Sequence, residues 1–292
     1  MADARGGNGT GSCLGFFGRT LSANDSELHQ EIPQLQSEPN SIQVKCLVRT
    51  RIPSEFGNAT HSLLLYTNSS DTEEHLALVY GYGQIFSLTL EKIYPNETTR
   101  DRLVRGASVS PLVPSDITTE PPLARIHSCC FTGETLGSLR CDCREQLVQA
   151  MKLMSTENRG VILYLKQEGR GIGLKDKMRA YNLIDQGYDT HEANIELGHP
   201  ADGRSYLIAT AILRDLQIPS VRLLTNNPHK VESIVADGVI VSERVPMIPA
   251  SWALGNISSS DRENASSEIQ DRDGYLITKV KKMGHILDIP ED

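Results

Sequence analysis

No apolar run in this 292-residue chain approaches the roughly 18 residues that a membrane-crossing helix needs, so no such helix is expected. The stretch MADARGGNGTGSCLGFFGRT lacks the apolar core of a signal peptide, and the chain is expected to be neither secreted nor membrane-bound, with a cytoplasmic location. Basic charge is short as well. Against 37 Asp and Glu stand 29 Lys and Arg, and the net charge of −8 argues against a nucleic-acid partner, which would select a basic face. Aromatic residues make up only 5 % of the chain, but 39 % hydrophobic residues at this length allow a core that needs no disulfide staples. No internal repeat is present. Cysteine is scarce too, six in all, yet four of them fall within residues 129 to 143, CCFTGETLGSLRCDC.

Residues 1–41 are rich in Gly, Ser, Asn and Gln without periodicity, and read as a disordered tail ahead of a single domain over 42–292. VKCLVRTRIPSEFG, HSLLLYTN and HLALVYGYG suggest an antiparallel meander. Residues 84–123, with many Pro, Thr and Ser, read as a surface excursion, and 253–274 as a second polar insertion. Between these insertions ARIHSCCF, GVILYLK, SVRLLTNN and GVIVSERV read as strands, separated by helical patterns. One helix follows Asp142, a candidate cap, with Leu147, Ala150, Met151 and Met154 on one face; another places Ile208, Ala211, Ile212 and Leu216 inward. The fold class expected is α+β: a mixed or barrel-like sheet first, then alternating β and α elements.

In a reducing compartment, closely spaced thiols serve a metal ion or pack as small hydrophobes. Cys130, Cys141 and Cys143 have the spacing C-x10-C-x-C, the last two close to a helix N-terminus where the backbone dipole favours thiolate. Zinc suits three thiolates at about 2.3 Å, and three protein ligands leave a position for water, as in catalytic sites. A structural site completed by Cys129 or His127, or a cluster of buried apolar cysteines, are the alternatives. Successive strand residues face opposite ways, so Cys129 and Cys130 do not both reach one ion.

KQEGRGIGLKDK is a Gly-rich turn between strand and helix that can present backbone N–H groups to an anion, or can be a tight turn with a solvated pair at Glu168 and Arg170. It is neither a Walker A loop nor a dinucleotide fingerprint. HPADGRSY sets Asp202 and Arg204 two apart before a helix, and TNNPHK sets Thr225 and Lys230 at a strand-to-helix turn; each alone reads as readily as capping and surface charge.

Taken in order, RIPSEFG, HLALVYG, RIHS, CFTGETLGSLRCDC, QEGRGIGL, RAYNLIDQGYDT, ADGR, RLLTNNP and KKMGHIL resemble the GTP cyclohydrolase II family, in its fungal form. The resemblance implies hydrolysis of GTP to formate, pyrophosphate and a diaminopyrimidinone ribosylamino phosphate at the start of riboflavin synthesis, with Zn²⁺ and Mg²⁺, in a homodimer. It assigns zinc to Cys130, Cys141 and Cys143, and nominates Tyr181 near the reacting imidazole carbon and Glu168 as reader of guanine. It implies Asp202 as proton acceptor and Arg204 as nucleophile. Nucleotide contacts fall on Arg125, Ile126, His127, Ser128, Cys129, Gln146, Gly169, Arg170, Thr190, Thr225 and Lys230. Two positions depart from the family pattern: Cys129 stands where glutamate is common, and Arg144 where glycine follows the last cysteine. They leave open a second reading, a zinc- and nucleotide-binding relative without turnover.

Overall fold

Apolar side chains alternate along three extended segments after residue 42, and these form an antiparallel meander of β1 (Val44–Ile52), β2 (His61–Asn68) and β3 (His75–Tyr80). The computed structural model describes residues 42–56, 61–81, 85–109, 120–248, 276, 279–281 and 284–287, all within the unit Ser41–Asp292. The expected tail and the insertion at 253–274 lie outside the described residues.

Residues 85–109, expected to run over the surface, do so in part, with Ile93, Leu103 and Val104 exposed, but Ser87, Leu90 and Ala107 are buried and anchor the segment in the core. They carry α1 (Leu88–Glu91) and α2 (Thr99–Val104), and Leu90 is fully buried. Ser87 and the Thr89 N–H donate to the buried carboxylate of Asp215, which also accepts from Tyr66 Oη at 2.8 Å. Three donors satisfy a charge that burial would otherwise make costly. Turn-forming residues dominate this segment's composition and hide the one leucine that anchors it.

Four further strands complete the sheet: β4 (Leu123–Ser128), β5 (Gly160–Leu165), β6 (Ser220–Leu224) and β7 (Ile240–Val245). The strand order is β1-β2-β3-β5-β4-β6-β7, with β3 antiparallel to β5 and the pairs β5-β4, β4-β6 and β6-β7 parallel. Both faces of the sheet are covered. On β5, Val161, Leu163 and Leu165 enter a core shared with Ile208, Ile212 and Leu213, while Ile162 enters a second core with Ala150 and Met154. This is the strand period of two meeting a helical stripe on either side.

After β4 come α3 (Phe131–Glu134) and α4 (Cys143–Glu157), then α5 (Gly173–Ile184) and α6 (Thr190–Glu196) after β5. Two more helices, α7 (Leu207–Asp215) and α8 (Pro228–Ala236), flank β6. The α4 stripe packs as expected. Asp142, however, makes no capping hydrogen bond; its oxygens accept from Gln146 Nε2 at 2.5 Å and Lys279 Nζ at 3.0 Å. No described helix is long and apolar enough to cross a membrane. Because β4, β5 and β6 are parallel, the loops after Ser128, Leu165 and Leu224 emerge at one edge, where open α/β sheets place ligands.

Candidate active site

The loop after β4 and the start of α4 bring three sulfurs together. Those of Cys130, Cys141 and Cys143 lie within 4.8 Å of one another, and Cys130 and Cys141 are 3.6 Å apart. Tetrahedral coordination at a Zn–S distance of about 2.3 Å asks for sulfurs about 3.8 Å apart, so the donors fit such an ion. Gly133 makes the approach possible, since a Cβ there would stand 2.6 Å from the Cys141 sulfur and 3.2 Å from that of Cys130. The Cys130 thiol is held strongly toward thiolate by hydrogen bonds from Cys141 and Cys143 and by the charge of Lys177. Cys141 is correspondingly pushed up to about 11, first by its bond to Cys130, and Cys143 also rises. One anion shared among three thiols is a state that a dication resolves by displacing the remaining protons. Among the described residues no fourth His, Cys, Asp or Glu joins the group. Cys129 stays outside it, as its opposite orientation requires, and so does His127.

His127 is instead tied to Glu134, a residue the sequence reading did not single out. Glu134 Oε1 accepts from His127 Nε2 and from the Cys130 N–H, both at 2.9 Å, and Oε2 accepts from Tyr164 Oη at 2.7 Å. The His127 ring is stacked on Tyr164, and its Nδ1 is buried without a partner. Burial and neighbouring cations hold this imidazole neutral. Such a carboxylate fixes both the ring and the backbone that presents the first thiol.

Beyond β5 the chain makes a 3₁₀ turn, Glu168–Gly171, in which Arg170 takes a left-handed φ of 61°. A non-glycine residue there costs about 1–2 kcal/mol. Glu168 pairs with Lys177, not with Arg170: Oε1 accepts from Lys177 Nζ at 2.7 Å and Oε2 from the Phe131 N–H at 2.7 Å. Lys177 also reaches the Cys130 sulfur at 3.2 Å. Tyr181, one turn further along α5, is 3.3 Å from Thr132 Oγ1, which lies 3.8 Å from the Cys130 sulfur. Burial raises the Tyr181 phenol, so it is protonated at neutral pH.

A cluster of cations lines the same site. Arg125, on β4, donates to the Leu224 carbonyl at 2.9 Å and to Gln146. Lys230, in the first turn of α8 and 4 % exposed, donates to the Ile126 carbonyl at 2.8 Å; burial and then Arg125 and Arg204 push its ammonium well below the ordinary lysine range. Arg204 grips both oxygens of Asp202, with Nε at 2.8 and 3.1 Å. Burial alone would raise the Asp202 carboxyl, but Arg204 and Arg170 outweigh it and hold it low. The Gly203 N–H donates to the Arg170 carbonyl at 3.1 Å, and a Cβ on Gly171 would stand 2.9 Å from the Gly203 oxygen, so the two loops meet backbone to backbone.

Thiols and cations line one cavity of about 520 Å³. The thiols line it with Tyr181, Glu168, Gly169 and Arg170, as do Arg125, His127, Ser128, Cys129, Gln146, Thr190, Arg204, Thr225 and Lys230. Two nominated residues are not in its wall. Ile126 is fully buried in the core, and Asp202 acts on the cavity through Arg204. Arg144 is exposed on α4 and does not line the cavity, whereas Cys129 is half-buried with its thiol pushed up to about 11 by burial and then by Glu168 and Glu134. Lys177, Lys279 and His285 also line the cavity, and the sequence reading missed all three. For Lys177 a signal existed: with Ala180, Tyr181 and Ile184 it falls on one inward stripe of α5.

A thiol trio and a cluster of cations within one cavity define a candidate metal-assisted enzyme of anionic substrates. The GTP cyclohydrolase II family model matches residues 45–246, and the chain belongs to that family. GTP cyclohydrolase-2 of Meyerozyma guilliermondii is 45 % identical over 277 residues, covering 85 % of this chain and 80 % of the relative. GTP cyclohydrolase-2 of Saccharomyces cerevisiae is 40 % identical over 289 residues, 85 % of this chain and 81 % of the relative. Riboflavin biosynthesis protein RibBA of Bacillus cereus is 41 % identical over 244 residues, 83 % of this chain but 48 % of its own length.

Proposed function

We propose that this chain hydrolyses GTP, opening the imidazole ring of guanine and releasing formate and pyrophosphate, to leave a diaminopyrimidinone ribosylamino phosphate at the entry to riboflavin synthesis. The observation that carries the reading is one cavity lined by both a thiol trio and a cluster of cations, chemistry suited to each of the two reactions, ring opening and pyrophosphate release.

Cys130, Cys141 and Cys143 would hold zinc, which when bound supplies Lewis-acid activation of water near neutral pH. Tyr181, kept protonated by burial, donates to negative charge developing on the opening ring. Glu168 reads the guanine donors through Oε2, which has one donor in Phe131 and a further lone pair. His127, Ser128 and Cys129 line the same cavity.

In that cavity Arg125, Arg170, Arg204 and Lys230 offset the charge of the phosphates, with Gln146, Thr190 and Thr225 as polar contacts and Mg²⁺ accompanying the triphosphate. Arg204 serves as an electrostatic clamp aimed by Asp202. A guanidinium gives up its proton only with great difficulty, and the carboxylate that would have to remove it is itself held low. Free cysteines among the described residues suit a reducing, cytoplasmic setting, and the proposed assembly is a homodimer, checked by sedimentation equilibrium.

The test is direct. Purified, zinc-replete protein given GTP and Mg²⁺ should release formate and pyrophosphate in equal amounts, each assayed separately. Absence of formate from that sample would remove the ring-opening reading; formate without pyrophosphate would remove its second step.

A further inference from the structure

The family match ends at residue 246, yet Lys279 and His285 line the cavity. Their local sequence explains how they arrive there. Leu276 is fully buried and anchors the segment. The chain then turns at Gly284, whose φ of +64° suits glycine, and the His285 N–H closes on the Lys279 carbonyl at 3.1 Å. Next, the Ile286 N–H donates to the Asn226 carbonyl at 2.9 Å. Asn226 is itself fixed by Met247, donating from Nδ2 at 2.6 Å and accepting at Oδ1 at 2.9 Å. The described C-terminal residues are thereby fastened to the loop that carries Thr225 and leads into Lys230.

Lys279 Nζ stands 3.0 Å from Asp142 Oδ1, and Asp142 continues through Gln146 to Arg125. The His285 ring has no hydrogen-bond partner among the described residues. It lies in the field of Lys279, Arg204, Lys230 and Arg170, and burial followed by these cations pushes it down to about 3, so the ring is neutral. Lys279, Arg204 and Arg170 act on His285, with Arg125 beyond Asp142, against the nearby carboxylates Asp142 and Asp202; Glu168, Asp185 and Asp189 also line the cavity. A buried positive excess of this kind is offset by an anion entering the cavity.

We propose that Lys279 and His285 contact the phosphates of the substrate, so that C-terminal residues beyond the family match complete the anion-binding part of the cavity. Lys279 supplies a point charge, positioned by Asp142, and His285 a ring N–H. The assignment rests on the GTP reading above and deepens it.

The test uses Lys279→Met, Lys279→Arg and His285→Asn in the full chain, with calorimetric binding of inorganic pyrophosphate and, separately, of guanosine, and with zinc content as a check on the fold. Pyrophosphate affinity should fall about tenfold, or about 1.4 kcal/mol, in Lys279→Met and in His285→Asn, while Lys279→Arg retains most of it. Guanosine affinity and zinc content should not change. Unchanged pyrophosphate affinity in both variants overturns the proposal, and so does a parallel loss of guanosine affinity and zinc, which would make the segment a structural support only. Loss in one variant alone supports that residue and removes the other. If the unaltered protein binds pyrophosphate through these residues but yields no formate from GTP, the cyclohydrolase reading fails and this one stands.

Discussion

The ammonium group of Lys177 lies 3.2 Å from the Cys130 sulfur, inside the cavity wall. Burial works against its charge, but Glu168 and the sulfur together hold it protonated. A trio of thiolates around one dication would carry a net negative charge, and this lysine offsets it.

Lys177→Met should therefore weaken zinc retention about 10–100-fold, measured by competition with a chromogenic chelator, while Lys177→Arg loses less. Equal retention in the methionine variant would sink the assignment.

Glu134 joins β4, β5 and the first thiol through three donors. Glu134→Gln cannot accept from all of them as a carboxylate does, and should cost about 1–3 kcal/mol of stability in urea unfolding. Zinc content should fall with it, since the Cys130 backbone loses its anchor.

Arg204→Ala removes the cation that Asp202 aims. Pyrophosphate release should drop about 100-fold or more, with zinc content unchanged. Loss of zinc together with activity would instead indicate that the 200–204 loop supports the thiol trio.

Acid should reach the region around α2 through Glu97, whose carboxyl Arg105 lowers from the ordinary 4.5 to about 2. A depressed carboxylate stabilises the fold above its unfolded value, and that contribution fades as pH falls through the folded one. The difference in Tm between the unaltered protein and Glu97→Gln should be full above pH 4.5 and shrink toward pH 2. A gap that does not change over this range would contradict the pairing.

Much of the scaffold was legible in the sequence because it follows period. The meander, the α4 stripe and the inward face of α7 rest on apolar residues at spacings of two or of three and four. What periodicity misses is short: α1, α3 and α6 have four to seven residues each, too few to show a pattern. At the site, spacing picked out the three cysteines whose sulfurs the fold brings together, since cysteine is rare in this chain. Glu134, Lys177, Lys279 and His285 were not legible, because a lone acid or base reads as solvated surface until its partners, 30 or more residues away in three of the four cases, are placed beside it. Composition misled in part at residues 85–109, where Leu90 outweighs its polar neighbours.

The backbone contact of Gly171 with Gly203 leaves no side chain between the turn after β5 and the stretch before α7. The two loops form a single unit for engineering. Exchanging one of them with that of a relative has to carry the other along, and a library that varies Gly171 alone, with its φ of +91° and a Cβ 2.9 Å from the Gly203 oxygen, will return misshapen pockets rather than new specificities.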